Sequence, residues 1–343
     1  MRGAVRSVCC FAVALLWLGR AVFAEDAAAI AARLHRVDAA TALDATGVVP
    51  WHMKMSVQLF DAKGQPGEQG TIEEWWDGPQ KDRVVYAVPS YKATELQNDA
   101  GFFRTKGAEQ PPWMLELLRA QVVHPMPPER DVAGSKAEAR KEKFGKATFE
   151  CIMLDRPIKA VAYFPIGLFP TYCMDAGKDS LRASYDYGSQ VILRNDVDEF
   201  EGRAVARDIT VSWGGTSAAT ARVFKLEAGA GDDAGFAQGD ELERVVRPLR
   251  VGAATMAGTL ISHVNPKYPA AAKDKGAAGT VTLQAVIGRD GLVTFIRVVA
   301  APDLDLGNAA LAAVKQWVYK PYLVDGEAVE VETTMIVSFS ISS

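Results

Sequence analysis

The chain has 343 residues, of which 49% are hydrophobic, so it is long enough for two domains with separate cores. Its formal net charge of -4 argues against nucleic acid as a partner, because a phosphate-binding surface needs a basic stripe. The sequence has no nucleophile elbow, phosphate-binding loop or dinucleotide-binding motif, and its four histidines are too scattered for a metal site. We therefore expect a protein that is not an enzyme and that needs no cofactor or metal.

The first 24 residues have the pattern of an export signal. Arg2 and Arg6 supply positive charge, residues 8–18 form an apolar run, and Val22 and Ala24 are typical of a cleavage site. The apolar run is too short to span a bilayer comfortably, so we expect cleavage after Ala24 and a mature periplasmic protein. The alternative is an uncleaved segment that anchors the protein in the inner membrane.

Four cysteines are present, and two of them leave with the export signal. Cys151 and Cys173 remain, and cysteines in an oxidising export compartment readily pair. Closing a loop of this length stabilises a fold by about 3 kcal/mol in the chain-entropy model. We predict a disulfide between these two residues, with two buried free thiols as the alternative.

Residues 25–226 carry the patterns of an antiparallel sheet with a few helices. An amphipathic helix is expected at residues 26–40, and a second begins after Pro111 and Pro112 and ends before Pro125. The two-residue period predicts strands at residues 53–59, 71–76, 83–88, 91–96, 102–105, 147–154, 160–164, 171–174, 181–187, 191–195, 203–211 and 219–226.

Two segments are expected outside this sheet. Residues 61–70 are rich in glycine and predict a turn region, and residues 126–146 predict an exposed loop with a short helix at residues 136–143. A long open sheet must curl, and the helices are expected to plug its concave side. The prediction for the first domain is therefore a half-barrel.

Apolar side chains of this domain are the candidates for a ligand site. The run FPIGLFP at residues 164–170 is an apolar loop bounded by two prolines. Such side chains either line a pocket for an acyl chain inside the curved sheet or pack as ordinary core. The candidate residues are Trp75, Trp76, Trp113, Leu168 and Phe169.

One stretch of the first domain resembles a known family. The segment GTIEEWWDGPQKDRVVY, residues 70–86, is similar to the LolA-like periplasmic lipoprotein carriers. The resemblance covers residues 25–226 and implies a curled antiparallel sheet that holds a lipid or the acyl chain of a lipoprotein.

The elements of the last quarter follow a linker at residues 227–258, which is rich in glycine and aspartate at its start. We expect a helix at residues 270–275, a hairpin of residues 281–287 and 292–299, a helix through residues 310–318, and a strand at residues 329–341. Gly276 ends the first helix, and Asp303 or Asp305 caps the second, which Pro321 ends. A break in the two-residue period predicts a β-bulge near Thr294 and Phe295.

The order helix, strand, strand, helix, strand resembles the C-terminal domain of the TonB family. The resemblance rests on AALAAVKQWVYKP after a GTVTLQAVIGRDGLV hairpin, with an upstream Tyr-Pro pair. It covers residues 259–341, and the predicted domain is residues 259–343. It implies a small domain with a three-stranded antiparallel sheet and two helices. The fold class of the whole chain is therefore α+β.

The resemblance also implies a way to bind a partner. An exposed final strand accepts an extended peptide of an outer-membrane or periplasmic protein as an extra strand, or pairs with a second copy in a homodimer. The implied binding residues are Asn265, Pro266, Tyr268 and Pro269, with the backbone of Val331, Glu332, Thr333, Thr334, Met335 and Ile336.

We therefore expect a non-catalytic periplasmic protein that docks a protein partner, holds an apolar ligand and serves transport across the envelope. The alternative is a membrane-anchored transducer of energy for outer-membrane transport. Family members with that role keep a membrane helix and a proline-rich spacer, and the prolines of this chain are dispersed.

Overall fold

The computed structural model describes residues 27–61, 63–127, 137–144, 146–154, 170–186, 190–213, 215–245, 248–274 and 276–341. These residues form an α+β protein in which strands predominate. The export signal and the strand predicted at residues 160–164 lie outside the described residues. Within them, no helix is both long and apolar enough to cross a membrane.

The N-terminal domain is built on one antiparallel sheet whose described part has thirteen strands in the order β13-β5-β4-β3-β2-β1-β12-β11-β10-β9-β8-β7-β6. Neighbouring strands along the chain are mostly neighbours in space, so the sheet is a long meander. The strands are β1 Trp51–Phe60, β2 Pro66–Trp76, β3 Asp82–Val88, β4 Tyr91–Asn98, β5 Gly101–Thr105, β6 Ala137–Phe144, β7 Ala147–Leu154, β8 Thr171–Asp175, β9 Leu181–Asp186, β10 Gln190–Phe200, β11 Arg203–Trp213, β12 Thr216–Ala228 and β13 Leu242–Arg244.

Two helices, α1 (Ala27–Thr41) and α2 (Trp113–Val123), pack on this sheet, as predicted. Helix α1 buries Ile30, Leu34 and Val37 in one apolar cluster, and α2 buries Leu115 and Leu118 in another. The helices thus cover the apolar face of the sheet, which is where its core lies.

Helix α2 connects distant strands of the sheet. Arg119 of this helix donates a hydrogen bond to Glu74 of β2, and Gln121, two residues on, accepts one from Arg194 of β10. Strands β1, β12 and β11 separate β2 from β10, a distance of about 19 Å in a flat sheet. Side chains two positions apart on this helix therefore reach strands that lie four places apart in the sheet.

Two predictions for this domain are wrong, one about the type of an element and one about where a turn ends. Residues 137–144 form strand β6 instead of a helix, because pairing with β7 from Ala137↔Leu154 to Phe144↔Ala147 outweighs the helix propensity of this Ala, Glu, Lys and Arg segment. The turn predicted at residues 61–70 ends earlier, because β2 already pairs with β1 at Pro66.

The predicted disulfide is present. Cys151 of β7 and Cys173 of β8 are directly opposite each other in the sheet, with their Cα atoms 4.0 Å apart and their sulfur atoms bonded. The bond joins the two strands that flank the segment at residues 155–169.

The segment predicted as a linker contributes to both sheets. Strand β13 extends the N-terminal sheet beside β5, and a short 3₁₀ helix, Asp233–Phe236, buries Phe236. Strand β14, Leu249–Arg250, joins the second sheet instead, and helix α3, Ala253–Ala257, follows it. Residues 227–258 are therefore structural in both domains.

Residues 259–341 form the C-terminal module, to which strand β14 of the preceding segment is added. Its sheet has the order β14-β21-β16-β17, so it has four strands where three were predicted, because β14 is added in parallel at one side. The remaining elements are β15 Leu260–Ser262, α4 Ala270–Asp274, β16 Gly279–Ile287, β17 Val293–Ala300, α5 Leu304–Val314, β18 Val318–Tyr319, β19 Tyr322–Val324, β20 Glu327–Val329 and β21 Val331–Phe339.

Local predictions for the module are confirmed at the bulge and the cap. The pairing of β16 with β17 skips Thr294, and the side chain of Asp303 accepts a hydrogen bond from the backbone N–H of Asp305 at the start of α5. The predicted helix through Trp317 and Val318 ends at Val314 instead, because β18 pairs with β15.

Candidate functional site

A cavity of about 1100 Å³ lies between the N-terminal domain and the C-terminal module. Helix α2 and strands β8, β9, β10 and β12 supply one wall, and β17 with α5 supplies the other. The volume slightly exceeds the roughly 300–1,000 Å³ typical of small-molecule sites. Most of the lining is apolar, with Trp113, Leu117, Ile192, Phe295, Val298 and Leu311 among its residues.

Helix α2 serves both the core and the cavity. Leu115 and Leu118 are buried under the sheet. Trp113, Leu117 and Gln121 recur every four residues, which places them on one face of a helix, and all three line the cavity. The sequence of α2 therefore positions an apolar strip toward the C-terminal module.

Strand β17 meets the cavity with its edge. The six consecutive residues 293–298 all line it, although successive side chains of a strand point to opposite faces. In the order β14-β21-β16-β17 this strand is the last one, so its outer edge borders the cavity. The bulge at Thr294 bends the strand beside Phe295.

The two domains also touch directly at the cavity. The ring of Phe295 lies 6.3 Å from the ring of Trp113. Met153 of β7 is buried and belongs to the apolar core of the C-terminal module. The module is therefore packed against the N-terminal domain, and the cavity is a gap within that contact.

Polar groups are concentrated where α2 meets β9 and β10. Arg194 is buried, and its guanidinium donates to the side-chain oxygen of Gln121 and, at 3.0 Å, to the hydroxyl of Ser184. Gln121 and Ser184 both line the cavity. The apolar wall thus ends in a small set of hydrogen-bonding groups.

Two titratable groups of the lining have shifted pKa values. Burial, together with the carboxylate of Glu95, raises the pKa of Glu116 to about 7, against a hydrogen bond from Gln110 that lowers it. A 2.6 Å hydrogen bond to Asp44 raises the pKa of His124 despite its partial burial. Near neutral pH, Glu116 is therefore partly protonated.

The predicted apolar-ligand residues have different fates. Trp113 lines the cavity, whereas Trp76 stacks on Trp51 in the core at 6.0 Å. Trp75 stacks on His52 at 4.6 Å, beside a small apolar cluster near β13. Leu168 and Phe169 lie outside the described residues.

Sequence reasoning missed the second wall of the cavity. Phe295, Leu311 and Val298 come from the module, where the sequence pattern indicates only a strand and a helix. No pattern in the chain signals which edge of one domain faces the other.

The predicted partner-binding residues of the Tyr-Pro region lie at the surface of the module. Asn265 is exposed, and Pro266 and Pro269 are half-buried. Tyr268 packs its ring edge-on against Phe339 at 5.5 Å, and its hydroxyl donates to the carbonyl of Ala277. Tyr268 therefore has a structural role at the start of α4.

The side chains of β21 alternate between core and solvent. Val331, Thr333 and Met335 are buried, Glu332 is half-buried, and Thr334 and Ile336 are exposed. Three of the six β21 residues predicted to bind a partner can therefore offer only their backbone.

One edge of β21 is covered only at its beginning. The N–H groups of Leu249 and Val251 donate to the carbonyls of Glu330 and Glu332, so the even-numbered residues turn their main-chain groups to this side. Helix α3 packs nearby, but within the described residues no main-chain hydrogen bond joins it to residues 334–338. The predicted free edge is thus reduced to the part after Glu332.

Comparison with protein families gives one match. Residues 264–341 match the family model described as the Gram-negative bacterial TonB protein C-terminal domain. The C-terminal module is similar to the TonB family. The sequence-based recognition of this TonB-like module is confirmed over those residues, and a search of curated proteins finds no match to the chain.

Solved structures resemble either part of the chain. A LolA superfamily protein from Nitrosomonas europaea has 8% identity and a TM-score of 0.40, and covers 60% of this chain and 97% of its own. An outer membrane lipoprotein-sorting domain from Vibrio parahaemolyticus has 9% identity, a TM-score of 0.37 and coverages of 60% and 95%. The TonB C-terminal domain of Pseudomonas aeruginosa has 24% identity, a TM-score of 0.21 and coverages of 24% and 86%.

Proposed function

We propose that this protein is a non-catalytic component of a Gram-negative-type periplasm that holds an apolar ligand between its two domains. The ligand is a lipid or the acyl chain of a lipoprotein. The TonB-like module both closes the ligand site and docks a protein partner, so the protein serves transport across the envelope.

The observation that carries this proposal is the composition of the cavity wall. The cavity has a volume of about 1100 Å³, which suits a long apolar ligand, and its lining is mainly apolar. Trp113 and Phe295 face each other from different domains, so a ligand in contact with both would join them. The few polar groups lie at one region of the wall, as expected for a site that orients an amphiphile.

Docking of a protein partner is supported by the edge of β21. Beyond Glu332, the main-chain groups of Thr334, Ile336 and Ser338 point to a side on which the described residues place no strand. An extended peptide could add there over about five residues, or over more if β14 is displaced. The same edge supports pairing of two copies.

Envelope localisation is supported by the match of residues 264–341 and by the export-signal pattern of the first 24 residues. N-terminal sequencing of the exported protein tests it. A mature protein that begins at Glu25 agrees with the proposal, whereas Met1 retained in the membrane fraction would favour the anchored transducer.

Ligand binding is tested with the neutral dye N-phenyl-1-naphthylamine, whose fluorescence rises in apolar surroundings. The matched variants are Phe295→Asp, in the cavity wall, and Phe224→Asp, on β12 where the side chain is 58% exposed. We expect the dye to bind the wild type and Phe224→Asp alike, and Phe295→Asp at least about tenfold more weakly. Equal binding to both variants would contradict the proposal.

A further inference from the structure

Arg194 stands out among the buried arginines of the N-terminal domain. It lies on β10 with 2% exposure, and its guanidinium contacts the side chains of Gln121 and Ser184 and, at 3.5 Å, the carbonyl of Ile192. Its Nε has no hydrogen-bond partner within the described residues. The cation is therefore held by neutral oxygen atoms alone.

Other arginines of this core are paired with carboxylates. Arg104 lies 2.9 Å from Glu95, and Arg119 pairs with Glu74. Among the described side chains, none supplies a carboxylate within 4.0 Å of Arg194. Burial accordingly lowers the pKa of Arg194 to about 9, which still leaves it charged at neutral pH. A buried cation without a counter-charge is costly, so an anion in its neighbourhood would be favoured.

The guanidinium lies directly behind the wall of the cavity. Tyr172, Ser184 and Ile192 are cross-strand neighbours on β8, β9 and β10, and all three line the cavity. Arg194 follows Ile192 by two residues, so it projects from the same face of the sheet. Its positive charge therefore acts on this end of the cavity.

The two residues between Arg194 and the cavity have donors to spare. Gln121 and Ser184 each accept a hydrogen bond from Arg194. Within the described residues, neither the amide NH₂ of Gln121 nor the hydroxyl hydrogen of Ser184 donates a hydrogen bond. An acceptor inside the cavity would receive these two hydrogen bonds, each strengthened by the cation behind it.

We propose that the ligand is a long-chain carboxylate, whose acyl chain lies against the apolar wall and whose head group is bound by Gln121 and Ser184 in front of Arg194. This inference rests on the proposed function and names the class of ligand. A carboxylate has two oxygen atoms, which can accept one hydrogen bond each from Gln121 and Ser184, and its charge complements the cation behind them. Among the other charged groups in the lining, Glu116 opposes an anion, whereas His124, Arg297 and Lys315 favour one.

Calorimetric titration of the full mature chain compares palmitate with its methyl ester, which has the same chain and no charge. We expect palmitate to bind at least about tenfold more tightly than the ester. In Arg194→Met this ratio is expected to fall to about one, whereas Arg222→Met, at an exposed arginine of β12, should keep the wild-type ratio. Gln121→Leu, in the helix, provides a second variant and should also lower the ratio.

The outcomes separate the two proposals. Equal affinity for palmitate and its ester, or an unchanged ratio in both Arg194→Met and Gln121→Leu, would overturn the carboxylate and leave the apolar site intact. Tight binding of hexadecyl phosphate without binding of palmitate would also overturn it, in favour of a phosphate head group. No binding of any of the three would overturn the apolar site itself.

Discussion

The indole ring of Trp113 and the phenyl ring of Phe295 lie 6.3 Å apart, one from the first turn of α2 and the other from the bulge of β17. They are 182 positions apart in the sequence. Their contact joins the N-terminal domain to the TonB-like module at the cavity in which we propose that the ligand binds.

Replacing Trp113 by alanine should weaken binding of N-phenyl-1-naphthylamine by about 1–2 kcal/mol, because the cavity loses a large apolar surface. Fluorescence titration measures the change. The control is Trp75→Ala, which removes a tryptophan that stacks on His52 away from the cavity. Similar losses in both variants would mean that Trp113 acts through general stability and not through the site.

The pair of Glu74 and Arg119 should respond unequally to mutation. The side chain of Glu74 is fully buried, whereas that of Arg119 is 29% exposed. Arg119→Met leaves a buried carboxylate without its partner and should lower the free energy of unfolding by about 3–5 kcal/mol at pH 7. In Glu74→Gln, the Arg119 cation still reaches water, and the amide oxygen of Gln can still accept its hydrogen bond. This variant should therefore lower the free energy of unfolding by only about 1–2 kcal/mol. Urea denaturation measures both losses. A larger loss in Glu74→Gln than in Arg119→Met would refute this explanation.

Glu116 should make stability depend on pH. Its pKa is raised from 4.5 to about 7, so between these values it is ionised only in the unfolded chain. Unfolding then releases a proton, and the free energy of unfolding falls as pH rises through this window, by up to about 3 kcal/mol, before levelling above pH 7.

The matched variant is Glu116→Gln, which cannot ionise. Its free energy of unfolding, measured in urea at pH 5 and pH 8, should fall less than that of the wild type. Glu95 and Glu330 also have raised pKa values, so part of the fall remains in the variant. If the free energy of unfolding depends on pH identically in the two proteins, the pKa of Glu116 is not raised in the folded state.

Hydrogen exchange should reveal the free part of the β21 edge. The amides of Thr334, Ile336 and Ser338 face the side without a strand, so they should exchange at least about 100-fold faster than those of Met335 and Val337, which face β16.

The internal control for this exchange experiment is Glu332, on the same side of β21 but paired with β14. Its amide should be protected while its even-numbered neighbours exchange. Equal protection along the whole strand in dilute solution would show that the edge is already covered. Protection that appears only at high protein concentration would indicate that two copies pair through this strand.

Much of the fold could be predicted from local patterns. The alternation of Met53, Met55 and Val57 predicted β1 with its buried face. Of the two candidate caps, Asp303 and Asp305, the structure has Asp303. The predictions of secondary structure failed where pairing with a strand distant in the sequence determines the structure. Residues 137–144 are strand only because β7 lies beside them, and Val318 leaves the helical stripe because β15 pairs with β18.

The candidate site was less predictable. Trp113 was identified, but as one of several aromatic residues that the chain could equally use for packing. Arg194 could not be identified from the sequence, because a single arginine in an alternating strand is usually exposed. Its burial depends on contacts with Gln121 of α2 and Ser184 of β9, which are distant in the sequence. The opposite wall depends on how two domains dock, which no local pattern encodes.

Photo-crosslinking shows directly whether a ligand binds between the two domains. The full mature protein is incubated with methyl palmitate carrying a diazirine on its chain, irradiated, and digested for mass spectrometry. We expect adducts both on α2, around Leu117, and on β17, around Phe295. Adducts confined to exposed apolar residues of the module, such as Ile261 and Leu323, or the absence of adducts, would contradict this expectation.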